Sequence, residues 1–209
     1  MKAGARTQNQ KGFSLLELIV TMAISTMVMG AVVLLSKGGQ DSSSTIIKEG
    51  SKARDLREAA NLISKDLRQA GVGTLSITTL GDGNNTVVFQ KPISFSAGAI
   101  TWGVFEKSLG NSPSSRNKSN WSYRYTVVPV TLKGGTVDRQ LVRDFLDGSL
   151  ALQKRQVIAH FLRKGTGTNP GFSVTPSGSL WKVQISTQRP SGVGDGVVQT
   201  LSFDVALRN

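Results

Sequence analysis

Residues 11–20, KGFSLLELIV, decide how this chain is organised. They open an apolar run from Phe13 to Leu35, 23 residues in which Glu17 is the one charged side chain. About 20 apolar residues in a helix are enough to cross the hydrocarbon core of a bilayer. A carboxylate inside such a segment is costly, so it indicates a functional position. The sequence therefore predicts a membrane-inserted N-terminal helix in which Glu17 awaits a partner charge.

Three simpler interpretations fit these residues less well. A secretory signal has an apolar core of roughly 7–15 residues and a small-residue cleavage site after it. Here the run is longer, and no Ala-x-Ala precedes the polar segment Ser36–Gly39. A plain single-pass anchor has no need of Glu17, and a buried core helix would rarely lack a polar face over this length.

The order of residues 11–18, KGFSLLEL, resembles the signal of type IV pilins and of type II secretion pseudopilins. In that family a prepilin peptidase cleaves after the glycine and N-methylates the new terminus. The resemblance implies cleavage between Gly12 and Phe13, N-methylation of Phe13, and an assembly role for Glu17. It also implies partners: the peptidase, other minor and major pilins or pseudopilins, and an inner-membrane assembly platform.

The physics of Glu17 fits such an assembly role. Cleavage leaves a cationic amine on Phe13, which in a helix bundle can lie against the Glu17 carboxylate of a neighbouring subunit. Two charges in a low dielectric are tolerated when paired and costly when alone. Glu17 is therefore expected to set the axial register of a subunit entering a filament.

Charge and composition indicate export. Lys plus Arg number 25 and Asp plus Glu 13, giving a net charge of +12. The leader Met1–Gly12 is basic and has no acid, so it stays cytoplasmic by the positive-inside rule. We expect a single-pass protein of the bacterial inner membrane with its head in the periplasm, which incorporation into a pilus would carry to the cell surface. The chain has no Cys, which excludes disulfides, thiolate metal sites and cysteine nucleophiles.

Four segments follow from these patterns: a cleaved leader (1–12), a transmembrane and filament-core helix (13–35), its amphipathic continuation (36–71) and a β-rich head (72–209). The helix is expected to loosen at Gly38-Gly39 and at Ser42–Ser44, which are poor helix formers. An apolar repeat at helical spacing follows, and glycines then end the helix. The repeat consists of Ile46, Gly50, Ala53, Leu56, Ala60, Ile63, Leu67 and Ala70.

The head changes to a period of two, which predicts strands. The fold class is therefore α+β and pilin-like, with a long N-terminal helix packed on an antiparallel sheet. Asp82-Gly83 and Asp195-Gly196 are typical of hairpin turns, Gly110–Asn120 of a surface loop, and Leu150–Gln156 of a short helix. The predicted strands are Thr74–Leu80, Thr86–Gln90, Ile100–Phe105, Ser122–Leu132, Gln140–Asp144, Val157–Arg163, Leu180–Gln188 and Thr200–Leu207.

Parts of the head sharpen the resemblance. Residues 62–71, LISKDLRQAG, resemble the late helix of PilW-type minor pilins, and residues 181–186 resemble their penultimate strand. The ending Val205–Asn209 resembles both these proteins and pseudopilin J. The resemblance implies a structural role: a minor pilin that initiates or caps a type IV pilus. The alternatives are a J-like minor pseudopilin at the tip of a type II secretion pseudopilus and a pilus-borne DNA-binding module for DNA uptake.

The residues that could carry chemistry are few, and the sequence predicts neither an enzyme nor a cofactor. His160 is the single histidine and lies in an apolar run, which favours a core or sheet-surface position. Asp82, Asn84 and Asn85 have the oxygen ligands that calcium prefers, but no glutamate stands at the spacing of an EF-hand, so a turn is the favoured interpretation.

Basic residues are spread along the head rather than gathered in one motif. Such a surface can attract nucleic acid, and Trp121 and Tyr123 could stack on bases. The other interpretations are a solvated face and a patch that meets an acidic pilin partner. The even spread favours recognition of protein over nucleic acid.

The signal predicts one processing event. Protein isolated from membranes should begin at N-methylated Phe13, and a bulky residue in place of Gly12 should leave the chain uncut. Intact-mass spectrometry measures this directly. A mature mass that still includes residues 1–12 would refute the assignment.

Overall fold

The computed structural model describes residues 14–133, 135, 137–188 and 198–207, with the backbone alone described for 38–52 and 113. The chain forms two compact units, Met1–Ser51 and Lys52–Asn209.

One helix, α1, runs from Leu15 to Arg68. Ser14 caps its N-terminus, since its hydroxyl accepts a hydrogen bond from the Glu17 N–H at 3.2 Å. The helix continues through Gly38-Gly39 and Ser42–Ser44, so the predicted loosening was wrong. Each glycine costs only about 1 kcal/mol relative to alanine, a penalty that a helix of 54 residues accommodates.

The C-terminal part of α1 forms one wall of the head's core. Leu56, Ile63 and Leu67 are at most 5% exposed and follow the predicted apolar repeat. The helix ends where the backbone of Gly71 turns to pair with the sheet, its N–H donating to the Gln90 carbonyl at 3.3 Å. The Trp102 ring occupies the space that a Cβ at position 71 would need, so glycine is required at this helix end.

The described residues of the head form eleven strands, one further short helix and two 3₁₀ turns. The helix α2 is Pro113–Arg116, and the turns are Val72–Thr74 and Lys107–Leu109. The strands are β1 (Ser76–Thr79), β2 (Asn85–Phe89), β3 (Lys91–Ser96), β4 (Ala99–Phe105), β5 (Asn117–Ser119), β6 (Ser122–Thr131), β7 (Val137–Leu146), β8 (Leu152–Ala159), β9 (Phe172–Ser177), β10 (Leu180–Gln188) and β11 (Val198–Val205).

These strands form three antiparallel sheets. The largest has the order β1-β2-β6-β7-β8, and the two three-stranded sheets have the orders β11-β10-β9 and β3-β4-β5. In the largest sheet Tyr125 lies opposite Arg143 and Tyr123 opposite Phe145. Because these pairs share the buried face, the register sets which side chains meet α1.

Aromatic rings fill the centre of the core. Phe89 stacks on Tyr123 and Tyr125, with ring centroids 5.3 and 5.9 Å apart. Phe145 packs against Tyr123, and Phe172 of β9 packs against Tyr125. All five rings are fully buried, so the core joins the five-stranded sheet to the sheet that contains β9.

The structure confirms the α+β class and corrects parts of the strand assignment. Strand β10 has the predicted bounds, but β3, β5 and β9 were not predicted. The predicted short helix Leu150–Gln156 is wrong, since Leu152 begins β8 and pairs with Leu146 of β7. Pairing with a central strand outweighs local helix propensity there. The predicted loop Gly110–Asn120 contains α2 and β5, and Asp195-Gly196 lies outside the described residues.

Two asparagines join the β1–β2 turn to strand β9. The Asn84 side-chain oxygen accepts hydrogen bonds from the N–H groups of Gly171 and Phe172, at 2.8 and 2.9 Å. The Asn85 side-chain oxygen accepts one from the Val174 N–H at 2.7 Å. Both asparagines are buried, so these amides contribute polar contacts between the two sheets, beside the backbone hydrogen bonds made by residues 161–163.

Replacing Asn84 with alanine should lower the free energy of unfolding by about 2–4 kcal/mol, because two buried N–H groups lose their acceptor. Chemical denaturation of the full chain in detergent, followed by tryptophan fluorescence, measures the change. The matched control is Thr175→Ala, at an exposed position of β9, which should shift stability by less than about 0.5 kcal/mol. Equal effects of the two variants would contradict the role given to Asn84.

Candidate functional site

The N-terminal part of α1 presents an unburied apolar surface. The described residues hold one helix long and apolar enough to span a membrane, Leu15–Lys37, 23 residues of which none is buried. Leu15, Met27 and Leu35 are 79, 81 and 77% exposed. An apolar surface of this extent needs lipid or the apolar helices of other proteins around it.

The polar side chains of this segment differ in whether they form hydrogen bonds with the backbone of the helix itself. The Thr21 hydroxyl donates to the carbonyls of Glu17 and Leu18, both at 2.9 Å, and the Thr26 hydroxyl donates to the Ala23 carbonyl at 2.8 Å. The Glu17 carboxylate has no ion pair or hydrogen bond with any other described residue. The predicted processing residues, Gly12 and Phe13, lie outside the described part of the chain.

A second carboxylate, Asp66, is buried in the head and has three partners. Lys91 lies with its Nζ 2.6 Å from one carboxylate oxygen, and Arg143 with its Nε 2.7 Å from the other. The Tyr125 hydroxyl donates to the same oxygen as Arg143, at 2.7 Å. Asp66 is 2% exposed, so this cluster fixes the last turns of α1 to strands β3, β6 and β7.

Arg143 extends the cluster and balances its charge. Its Nη1 lies 2.9 Å from the Glu106 carboxylate, just after β4. Its guanidinium lies over the rings of Tyr123 and Phe145, 4.7 and 5.0 Å from their centroids. Two acids therefore face two bases, which removes the net charge that would make burial costly.

The surroundings of the cluster shift the pKa values of its members. Burial lowers the pKa of Lys91, although Asp66 opposes this. Burial raises the pKa of the Tyr125 hydroxyl well above its usual value, and the Asp66 charge adds to the rise. Burial acts to lower the pKa of Arg143, but the Asp66 and Glu106 carboxylates outweigh it and raise that pKa. Tyr125 is thus held as a hydrogen-bond donor and Arg143 as a cation.

A further ion cluster occupies the opposite face of the large sheet. Asp144 is fully buried between two arginines of the neighbouring strands. Arg124 approaches one of its oxygens at 2.6 Å and Arg155 the other at 2.7 Å. The cluster ties β6, β7 and β8 together across their width.

His160 is satisfied but does not lie in a strand of the core. Its Nδ1 lies 2.8 Å from the Asp138 carboxylate, and its side chain is 52% exposed. Strand β8 ends at Ala159, and Phe161 has a φ of 53°, in the left-handed region. Asp138 also accepts the Phe161 N–H at 2.7 Å, so the carboxylate stabilises the bend that turns His160 out of the strand.

The oxygens proposed as an alternative calcium site bind protein groups. Asp82 accepts hydrogen bonds from the backbone N–H and the side-chain amide of Asn84, at 3.1 and 2.7 Å. The side-chain oxygens of Asn84 and Asn85 bind the β9 segment. Gly83 has a φ of 79°, a conformation that favours glycine. These residues form a turn, and the described residues hold no group of three or more His, Cys, Asp or Glu side chains placed for a metal.

Several groups considered for nucleic-acid binding are engaged inside the head. Tyr123 is fully buried and its hydroxyl donates to the Phe105 carbonyl at 2.9 Å, so it cannot stack on a base. Arg124 and Arg155 are bound to Asp144. Trp121 is partly buried, with the Lys118 Nζ 5.5 Å from its ring centroid.

Sequence reasoning missed the Asp66 cluster. Two signals were present: an acid beside the apolar stripe of a helix, between Ile63 and Leu67, and an arginine between Leu141 and Phe145 in a buried strand. A charge in an apolar pattern indicates a buried partner of opposite sign. The pattern does not say which partner, because contacts such as Asp66 to Arg143 span 77 positions of sequence.

Comparison with known proteins adds one match. Residues 7–33 match the family described as the prokaryotic N-terminal methylation motif. No curated protein and no solved structure matches the chain. The matched stretch contains the predicted cleavage position, the predicted methylated residue and Glu17.

Replacing Asp66 with asparagine should lower the free energy of unfolding by about 3–5 kcal/mol, because Lys91 and Arg143 would be left without their carboxylate in a buried site. Denaturation of the full chain in detergent measures it. The control is Glu58→Gln, which removes an exposed ion pair with Arg54 at 2.9 Å and should cost less than about 1 kcal/mol. If both variants had the same stability, the cluster would not hold α1 to the head.

Proposed function

We propose that this chain, which its N-terminal methylation motif places in the type IV pilin and pseudopilin class, is a minor pilin that helps initiate or cap a type IV pilus. It would act after cleavage between Gly12 and Phe13 and N-methylation of Phe13. The class is one of structural subunits, processed by a prepilin peptidase and assembled with other pilins.

The observation that carries the proposal is the unburied apolar segment with one carboxylate near its start. The 23 residues of Leu15–Lys37 are exposed, and the Glu17 carboxylate has no partner among the described residues. A bilayer accommodates the apolar side chains but does not pair the carboxylate. A bundle of such helices accommodates the apolar side chains and also pairs the carboxylate, provided that each subunit supplies a cation. The N-methylated amine of Phe13 is that cation.

The head is suited to a structural role. Its helix segment is fixed to the sheets by a charge-balanced cluster around Asp66, and its aromatic core is fully buried. A head of this kind keeps its shape while its surface contacts neighbouring subunits. We place it in the periplasm, on a single-pass anchor in the inner membrane.

Within the class we favour a PilW-type minor pilin, because residues 62–71 and the ending Val205–Asn209 resemble those proteins. A J-like minor pseudopilin of type II secretion is the alternative that shares the same ending. The proteins that co-purify with the chain separate the two. The DNA-uptake alternative loses one of its two named stacking residues, because Tyr123 is buried.

Replacing Glu17 with valine should leave insertion and stability unchanged, because lipid accepts valine readily. It should reduce cross-linking to partner pilins at least tenfold, because the partner amine would lose its counter-charge in a low dielectric. The yield of cross-linked complexes from membranes measures this. Thr21→Val, one turn further along, is the matched control and should retain assembly. Equal yields from Glu17→Val and the natural chain would remove Glu17 from the assembly mechanism.

A further inference from the structure

Strand β8 is an open edge of the head's largest sheet. It pairs with β7 on one side, and no described strand pairs with its other side. The six residues from Leu152 to Val157 are all exposed. An edge strand presents a row of N–H and C=O groups on which a strand of another chain can form.

The other edge strands are shorter, contain proline or face a groove beside α1. Strands β1 and β5 have four and three residues. Strand β9 contains Pro176, and β3 contains Pro92 beside a register shift; proline cannot donate to a further strand. Strand β11 lies beside α1, with a groove of about 280 Å³ lined by residues such as Arg57, Leu201 and Phe203.

The charges of β8 leave its edge accessible. Neighbouring residues of a strand point to opposite faces, and Lys154 and Arg155 each bind a group on their own face. The Arg155 guanidinium is paired with Asp144. The Lys154 ammonium donates to the Ser108 carbonyl at 2.5 Å. Charged side chains commonly protect an edge from pairing. Here Lys154 and Arg155 lie on either side of the N–H and C=O groups of β8 and do not cover them.

The charge of this edge selects the partner. Strand β8 carries two cations and no acid, and the acid beneath it, Asp144, is fully buried. A second copy would place Lys154 and Arg155 against the same cations, and like charges directly opposite destabilise a strand pair. We propose that β8 receives an extended, acidic segment of a different subunit, which forms a sixth strand of the large sheet.

This proposal rests on the proposed function, because the partner would be another pilin-class subunit of the same assembly. The absence of cysteine from the chain allows a clean test. Gln156→Cys, exposed on β8, is labelled with a benzophenone maleimide in full-length chain within membranes that contain its pilin-class partners. Ser202→Cys, exposed on edge strand β11, is the matched control.

Illumination should cross-link position 156 to an extended acidic segment of another subunit, located by mass spectrometry of the joined peptides, in clear excess over position 202. Adding Lys154→Glu should lower that yield about threefold or more, because an attractive cross-strand pair becomes repulsive. Lys154→Arg should preserve it. Lys154 is exposed and binds one carbonyl, so neither change should unfold the head.

Three results would overturn the proposal: cross-links to a second copy of this chain, equal yields from positions 156 and 202, or a yield that ignores the reversal of charge at 154. Co-purification of pilin-class proteins is measured on the same membranes without illumination. It distinguishes failure of the proposed function from failure of the β8 proposal alone. Without co-purification, the proposed function and the β8 proposal both fail. With co-purification but no adduct at position 156, only the β8 proposal fails.

Discussion

A carboxylate taken out of water must find a positive partner, and this constraint governs both ends of helix α1. Asp66, near its C-terminal end, is 2% exposed and is met by Lys91, Arg143 and Tyr125 of the same chain. Glu17, in its first turn, has no partner among the described residues. The Asp66 carboxylate is thus paired within the head, and we propose that the Glu17 carboxylate is paired by a second subunit.

The two parts of α1 differ in whether the chain itself buries their apolar side chains. Its later turns bury Leu56, Ile63 and Leu67 in the head, while Leu15–Lys37 is apolar on all sides and unburied. A helix that is apolar all round requires an apolar environment. The methylation motif, residues 7–33, overlaps this N-terminal segment. We propose that assembly with other subunits buries the apolar side chains that a single chain leaves exposed, with the edge of β8 contributing at the head.

Local patterns predicted much of the fold, and contacts between distant residues account for the rest. The apolar run and its single acid predicted the N-terminal helix, and alternation predicted β10 with its observed bounds. The sequence predicts a helix at the start of β8, where LQKRQ has good local helix propensity, and only pairing with Leu146 and Phe145 makes it a strand. The Asp66 cluster was missed for the same reason. The sequence favours a core or sheet-surface position for His160, but it does not show the bend at Phe161, which depends on Asp138, 22 positions away from His160.

The contact between the amine of one subunit and the carboxylate of another is the most direct test of the account. Assemblies would be prepared with ¹³C in the Glu17 carboxyl group of this chain and ¹⁵N in the N-terminal amines of its partner pilins, and the distance measured by solid-state nuclear magnetic resonance. The account predicts a ¹³C–¹⁵N separation within about 5 Å, because an ion pair has its nitrogen and oxygen within about 4 Å. Assemblies that form normally, with no partner amine near Glu17, would contradict it.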